Sequence, residues 1–204
     1  MPSFEFLIAS LVLILMPGAS ALYTLSTGIK YGVRASMVAA LSCTLGIMPH
    51  ILASVLGLAA LLNSSAVAFE LVKWAGIAYL LYLAFSSWQS SSTLAIDSTE
   101  QQVSTVSISS KAFLVTTLNP KISIFFFAFL PQFVPPQTTS PVTHMLQLGF
   151  SYMLLTLLVF IGYGLLSHSF RLFIINSPQR LKGMQRSLAG AFVLLSVKLA
   201  LAER

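Results

Sequence analysis

A single lysine set among apolar residues is the first place to look for chemistry. Lys121 lies midway between Lys111 and Pro131 in a run with no other Asp, Glu, Lys or Arg. At the centre of a membrane helix such a residue costs about 2.5–3.5 kcal/mol on insertion scales, so it marks a working position. Its ammonium can hold a carboxylate or carry a proton. Asn119, two residues earlier, is both donor and acceptor, and Ser123 lies one turn beyond Asn119 on the same helical face. Pro120 stands between Asn119 and Lys121, and Pro17 interrupts another apolar run at Met16-Pro17-Gly18-Ala19-Ser20. A proline has no N–H, so the carbonyl one turn earlier loses its helical partner. Freed carbonyls bind an ammonium group, and exposed amides at a half-helix start bind a carboxylate. Amino acids carry both groups. His50, following Pro49, is a titratable group inside an apolar run; it either carries protons or hydrogen-bonds a neighbouring helix.

The elements that must position these groups are membrane helices. The chain has 204 residues, 56% apolar and 8% charged, whereas soluble domains carry about 25% charged residues. That excludes a soluble globular enzyme, and the high hydrophobicity excludes disorder. Cys43 is the only cysteine, so there is no disulfide framework. The scattered His50, His144 and His168 make a poor metal site, and no cofactor or metal is expected. The net charge of +6 reads as topology rather than nucleic-acid binding.

Runs of about 20 apolar residues give six spans. They cover about 4–26, 35–62 (ending at Asn63-Ser64-Ser65), 74–88, 113–133 (interrupted at Asn119-Pro120-Lys121), 142–168 and 185–202. Lys30, Arg34, Lys111, Arg171, Arg180, Lys182 and Arg186 then share one side, against Lys73, Arg204 and Lys198 on the other. The first side is cytoplasmic and both termini face outward. Glu5, with no Lys or Arg before the first apolar run, argues against a cleaved signal peptide.

A serine-rich linker at 89–110 separates a first three-helix repeat, 1–88, from a second, 111–204. Leu15, Pro17 and Ser20 align with Leu118, Pro120 and Ser123 at a constant offset close to half the chain. The expected fold is therefore an all-α membrane protein of six transmembrane helices, two inverted three-helix repeats with proline-broken first and fourth helices. Such paired interruptions point to a transporter's midplane site. Gly46, Gly57, Gly76, Gly162, Gly164 and Gly190 read as close helix contacts. Phe125, Phe126, Phe127 and Phe129 read as packing and lipid-facing residues. Gly18-Ala19-Ser20-Ala21 also resembles the surroundings of an intramembrane serine nucleophile, with His50 or His168 as its base. That reading and a passive small-solute channel are the alternatives.

Three blocks carry a resemblance: Met16-Pro17-Gly18-Ala19-Ser20-Ala21-Leu22-Tyr23, then Lys73-Trp74-Ala75-Gly76-Ile77-Ala78-Tyr79-Leu80, then Leu118-Asn119-Pro120-Lys121 with Phe127-Ala128-Phe129-Leu130-Pro131-Gln132-Phe133. The sequence resembles the LysE/RhtB family of amino-acid exporters over nearly its full length. The resemblance implies a bacterial inner-membrane protein, monomeric or homo-oligomeric, that exports amino acids or close derivatives against protons. Family members often have Pro-Gly-Pro where this chain has Pro17-Gly18-Ala19. The branch that exports lysine and arginine has an aspartate where this chain has Phe125, which implies neutral cargo such as homoserine, threonine or leucine. Pro17, Gly18, Asn119 and Pro120 would shape the site. Ser20, Tyr23, Lys121 and Ser123 would supply polar contacts, and His50 and Lys121 are the proton-coupling candidates.

Overall fold

A computed structural model describes residues 2–16, 18–62, 103–135 and 138–167, with single helical positions between 71 and 88 and between 183 and 200. All elements among the described residues are helical. Helix α1 (Phe4–Leu15) starts at Ser3, whose hydroxyl accepts the Phe6 N–H, a cap that supplies one of the four donors every helix start leaves free. Its 12 residues reach about 18 Å, half a bilayer core, so the first expected span is made of two pieces. The second piece opens α2 (Ala19–Leu45).

Within α2, Gly32 has a φ of +83°, a conformation only glycine adopts cheaply. The chain turns back there. Ser36 donates to Thr24 O at 2.8 Å and Cys43 lies against Ser20 O, so the two arms of α2 run side by side. The turn falls between Lys30 and Arg34, where the charges predict a loop. After Gly46 and Ile47 the path continues as α3 (Met48–Leu62).

The second half starts earlier than expected. Helix α4 (Thr105–Thr117), capped by Ser104, takes the last six residues of the serine-rich segment into a helix that reads from the sequence as beginning near Phe113. It breaks at Leu118-Asn119 and resumes as α5 (Pro120–Ile124), a π-helical turn (Phe125–Phe129) and a 3₁₀ turn (Leu130–Phe133). The two pieces are bent by 45°. Helix α6 (Pro141–Leu165) follows. Ala19–Gly57 and Pro141–Leu165 are long and apolar enough to cross a membrane, and the bent pair is a third such stretch if counted as one span. The third and sixth expected spans fall on the singly described positions.

Small residues let these helices approach closely. A Cβ on Gly46 would stand 2.8 Å from Phe113 O, and one on Gly164 2.8 Å from Ser36 Oγ. Gly28 against Ser167 and Gly149 against Ile51 are equally tight and are not evident in the sequence. Gly162 and Gly190, expected at contacts, meet nothing within 4 Å of that position among the described residues, and Gly76 lies outside them. Gly46→Ala is therefore expected to destabilise by about 1–3 kcal/mol, because the obstructing atom is backbone. Gly162→Ala costs nothing. Thermal unfolding of the two variants in detergent checks this, and equal midpoints would contradict it.

The aromatic run also differs from expectation. Phe125, Phe126 and Phe129 are buried and only Phe127 is exposed. The π-helical turn rotates them inward, where Phe125 meets Phe6 at 6.5 Å and Tyr152 at 5.1 Å between ring centroids.

Candidate functional site

Two helix breaks meet at one cavity. Pro17 itself lies outside the described residues, but as a proline it has no N–H to give the Leu13 carbonyl. The Lys121 ammonium, from the first turn of α5, supplies the missing donor: Nζ donates to Leu13 O and to Met16 O, each at 3.0 Å. Tyr163 on α6 donates its hydroxyl to Leu15 O at 3.0 Å. The end of α1 is thus capped by side chains from two other helices, and its negative dipole end faces a cation. A Cβ on Gly18 would stand 3.1 Å from Nζ, so the residue after Pro17 has to be small for the lysine to reach its place.

The second break follows the same chemistry. Pro120 has no N–H for the Thr116 carbonyl four residues earlier, and His50 Nε2 lies 3.0 Å from that oxygen. A carbonyl only accepts, so Nε2 carries the proton and Nδ1 is left to accept from Ser123 Oγ at 3.2 Å. The Ser123 hydroxyl has a second acceptor in Asn119 O at 3.4 Å. Asn119 caps α5 through Oδ1, which accepts the Lys121 N–H at 3.0 Å. Lys121 thus supplies a donor to Leu13 O, while Thr116 O, which already accepts the Asn119 N–H at 3.0 Å, takes His50 as a second donor from a distant helix. Pro131 repeats the pattern inside the π-helical turn: Ser54 Oγ donates to Phe126 O, five residues before the proline, at 2.6 Å.

The cavity lies where these groups converge. Ser20, Thr116, Asn119, Lys121, Tyr152 and Thr156 supply its polar lining, and Ile14, Ile47, Ile122 and Phe160 the apolar one. Thr116 Oγ1 donates to Ser20 Oγ at 2.9 Å, tying the two broken helices together. No carboxylate side chain lines it, and no cluster of metal-ligating residues occurs among the described residues. Its volume, taken at water centres, is about 20 Å³, room for a water or two.

Of the residues expected from the sequence, Gly18, Ser20, Asn119 and Lys121 line this cavity. His50 and Ser123 form a hydrogen-bonded pair behind it, and Pro120 opens α5 with its ring exposed. Tyr23 points elsewhere: its hydroxyl donates to Ile108 O at 3.2 Å, because its place on α2 faces α4 rather than the break. His168 lies outside the described residues. Ser20 has Thr116 for its partner while His50 is engaged with Thr116 O and Ser123, so among the described residues Ser20 is not paired with a histidine. Sequence reasoning missed Tyr152, Thr156 and Phe160. Their spacing of four, with two polar residues on one stripe of an apolar helix, is the signal that marks them.

A family model described as LysE type translocator matches residues 11–203. The chain is 32% identical over 202 residues to a homoserine/homoserine lactone efflux protein of Salmonella typhi, covering 98% of this chain and 96% of that one. It is 27% identical over 201 residues to a leucine efflux protein of Klebsiella pneumoniae subsp. pneumoniae, covering 96% and 92%. An uncharacterized membrane protein of Vibrio cholerae is 31% identical over 198 residues, covering 97% and 96%. No solved structure matches.

Proposed function

We propose, for a chain that belongs to the LysE type translocator family, that it exports neutral amino acids or close derivatives such as homoserine, threonine or leucine across the bacterial inner membrane in exchange for protons. The family and its efflux relatives are transporters, so the chain is a membrane transporter and not an enzyme. One observation carries the choice of cargo: an ammonium held on helix-end carbonyls, in a cavity with no carboxylate among its described lining residues. A zwitterion suits that arrangement. Its carboxylate goes to Lys121 and to the free N–H groups at the start of α2, which Gly18 leaves open. Its side chain faces Ile14, Ile47 and Phe160, with Ser20 and Thr156 available to a hydroxyl. Pro17, Asn119 and Pro120 keep the two helices broken; Tyr23 has no contact with this cavity and drops out of the proposed set.

Placing the positive turn at Lys30 and Arg34 in the cytoplasm puts both termini outside. The stacking of Arg186 on Trp88, 5.1 Å from the ring centroid, puts these two residues at one side, as the expected topology has them. Proteoliposomes with an imposed pH gradient test the function: leucine or homoserine moves uphill only while the gradient lasts. Flux indifferent to the gradient would identify a passive channel instead.

His50 is the proposed proton carrier. Protonation at Nδ1 turns the Ser123 hydroxyl from His50 towards Asn119 O, its second acceptor, and so reaches the Asn119-Pro120 break. His50→Gln keeps a donor towards Thr116 O but not the titration. Gradient-driven flux is expected to fall about tenfold or more, the factor equivalent to losing about 1.4 kcal/mol of coupling, while substrate exchange without a gradient persists. Gradient-driven flux equal to wild type would remove His50 from the role.

A further inference from the structure

We propose that the carbonyl oxygens of Leu13 and Met16 form a binding site for a primary ammonium group, occupied at rest by Lys121 and claimed by the substrate's ammonium during transport. The substrate half of this proposal rests on the amino-acid exporter reading above; the site itself does not. Leu13 O is left without a helical donor by Pro17, and both oxygens sit at the negative end of α1. The occupant bonds both at 3.0 Å with two of its three hydrogens. The group that bonds them comes from 108 and 105 residues away along the chain, on a four-carbon flexible stem. A tethered ammonium at a carbonyl pair is what a free ammonium would replace.

Space makes the same point. With Lys121 seated, the cavity holds only about 20 Å³ at water centres, room for water but not for an amino acid. Withdrawal of the lysine enlarges the cavity by the volume of the departing stem and ammonium. The neighbouring Gly18 has no side chain to crowd the ammonium, whose Nζ lies 3.1 Å from where a Cβ on Gly18 would stand. The exchange conserves hydrogen bonds: the incoming ammonium takes the two carbonyls, and the released one meets the carboxylate of the same substrate. No bond is made or broken covalently.

Purified full-length protein carrying Lys121→Ala tests this without any transport assay. The substitution removes three carbons and the nitrogen, which n-propylammonium replaces atom for atom. Titrating propylammonium chloride is expected to raise the unfolding midpoint of Lys121→Ala saturably by about 3 °C or more, and to leave wild type unchanged. Sodium chloride at equal ionic strength and 1-propanol at equal concentration should leave both midpoints unchanged. Stabilisation by propanol to the same extent means simple filling of a void and overturns the proposal, as does a response to sodium or no response at all. Should Lys121→Ala fail to fold, Lys121→Met, shorter by the nitrogen alone, is titrated with ammonium chloride under the same criteria. Absence of leucine or homoserine flux through wild type would defeat the exporter reading while leaving a positive propylammonium result standing.

Discussion

Lys121→Ala abolishes amino-acid export, by about 100-fold or more, in membranes that contain the protein at wild-type amounts. The expectation follows from what the ammonium does at rest and under load. At rest it is the donor for Leu13 O and Met16 O; removing it takes that donor from the buried Leu13, at about 1–3 kcal/mol, and from the half-buried Met16 at less. Under load it faces the substrate carboxylate in a place that water hardly reaches, where a charge-assisted hydrogen bond is about twice as strong as a neutral one. Losing about 2.8 kcal/mol from substrate binding corresponds to about 100-fold. The stability loss and the transport loss separate experimentally. Lys121→Met keeps the apolar stem and the packing of α5 but not the charge, so its unfolding midpoint falls less than that of Lys121→Ala while its flux is lost as fully. Lys121→Arg also fails, because the ammonium already sits 3.1 Å from the place of a Cβ on Gly18 and a guanidinium is larger. Flux into proteoliposomes, normalised to inserted protein, checks all three. Undiminished flux in Lys121→Ala would end the role assigned to this residue.

What the sequence discloses and what it hides divide along a physical line. A proline without an N–H, an asparagine able to cap, and a charge in an apolar run are properties of the residues themselves, so the break at Asn119-Pro120 and the importance of Lys121 are legible in advance. So is the turn at Gly32, because Lys30 and Arg34 flank a glycine. The partner of Lys121 is not legible, since backbone carbonyls have the same chemistry at every position and only folding brings Leu13 beside residue 121. The same holds for His50, whose choice between proton carrier and simple hydrogen bonding depends on finding Thr116 O and Ser123 at its two ring nitrogens. Periodicity misled at the aromatic run, and the resemblance at Tyr23. An ideal 3.6-residue period spreads Phe125, Phe126 and Phe127 around the helix, whereas the π-helical turn, with Ser54 bonded to the Phe126 carbonyl, gathers Phe125, Phe126 and Phe129 inward. Tyr23 shares a helix with Ser20 but lies three positions on, which is enough to aim its hydroxyl at Ile108 O rather than at the cavity.

Lysine and arginine are carried at least about 100-fold more slowly than leucine or homoserine. A cationic side chain entering this cavity meets Ile14, Ile47, Ile122 and Phe160, the neutral hydroxyls of Ser20, Thr116, Tyr152 and Thr156, and the like charge of Lys121. No carboxylate is among the described residues that line the cavity to receive it. An uncompensated basic group inside the membrane costs about 2.5–3.5 kcal/mol, which at 1.4 kcal/mol per tenfold is a discrimination of about 100-fold. Phe125 stands where the resemblance places an aspartate in exporters of basic amino acids. Its ring is packed 5.3 Å from Phe129 and 5.1 Å from Tyr152, so Phe125→Asp buries a carboxylate in an aromatic cluster and is expected to unfold the protein rather than change its cargo. Thr156→Asp is the informative substitution, because Thr156 is buried and lines the cavity itself. It raises lysine flux relative to leucine flux by about tenfold or more, as an opposite charge is supplied where the guest's side chain passes. Counterflow with a panel of neutral and basic amino acids in proteoliposomes measures both ratios. A wild-type preference for lysine or arginine would mean that a carboxylate outside this lining reaches the cargo, and the neutral-substrate reading would fall with it.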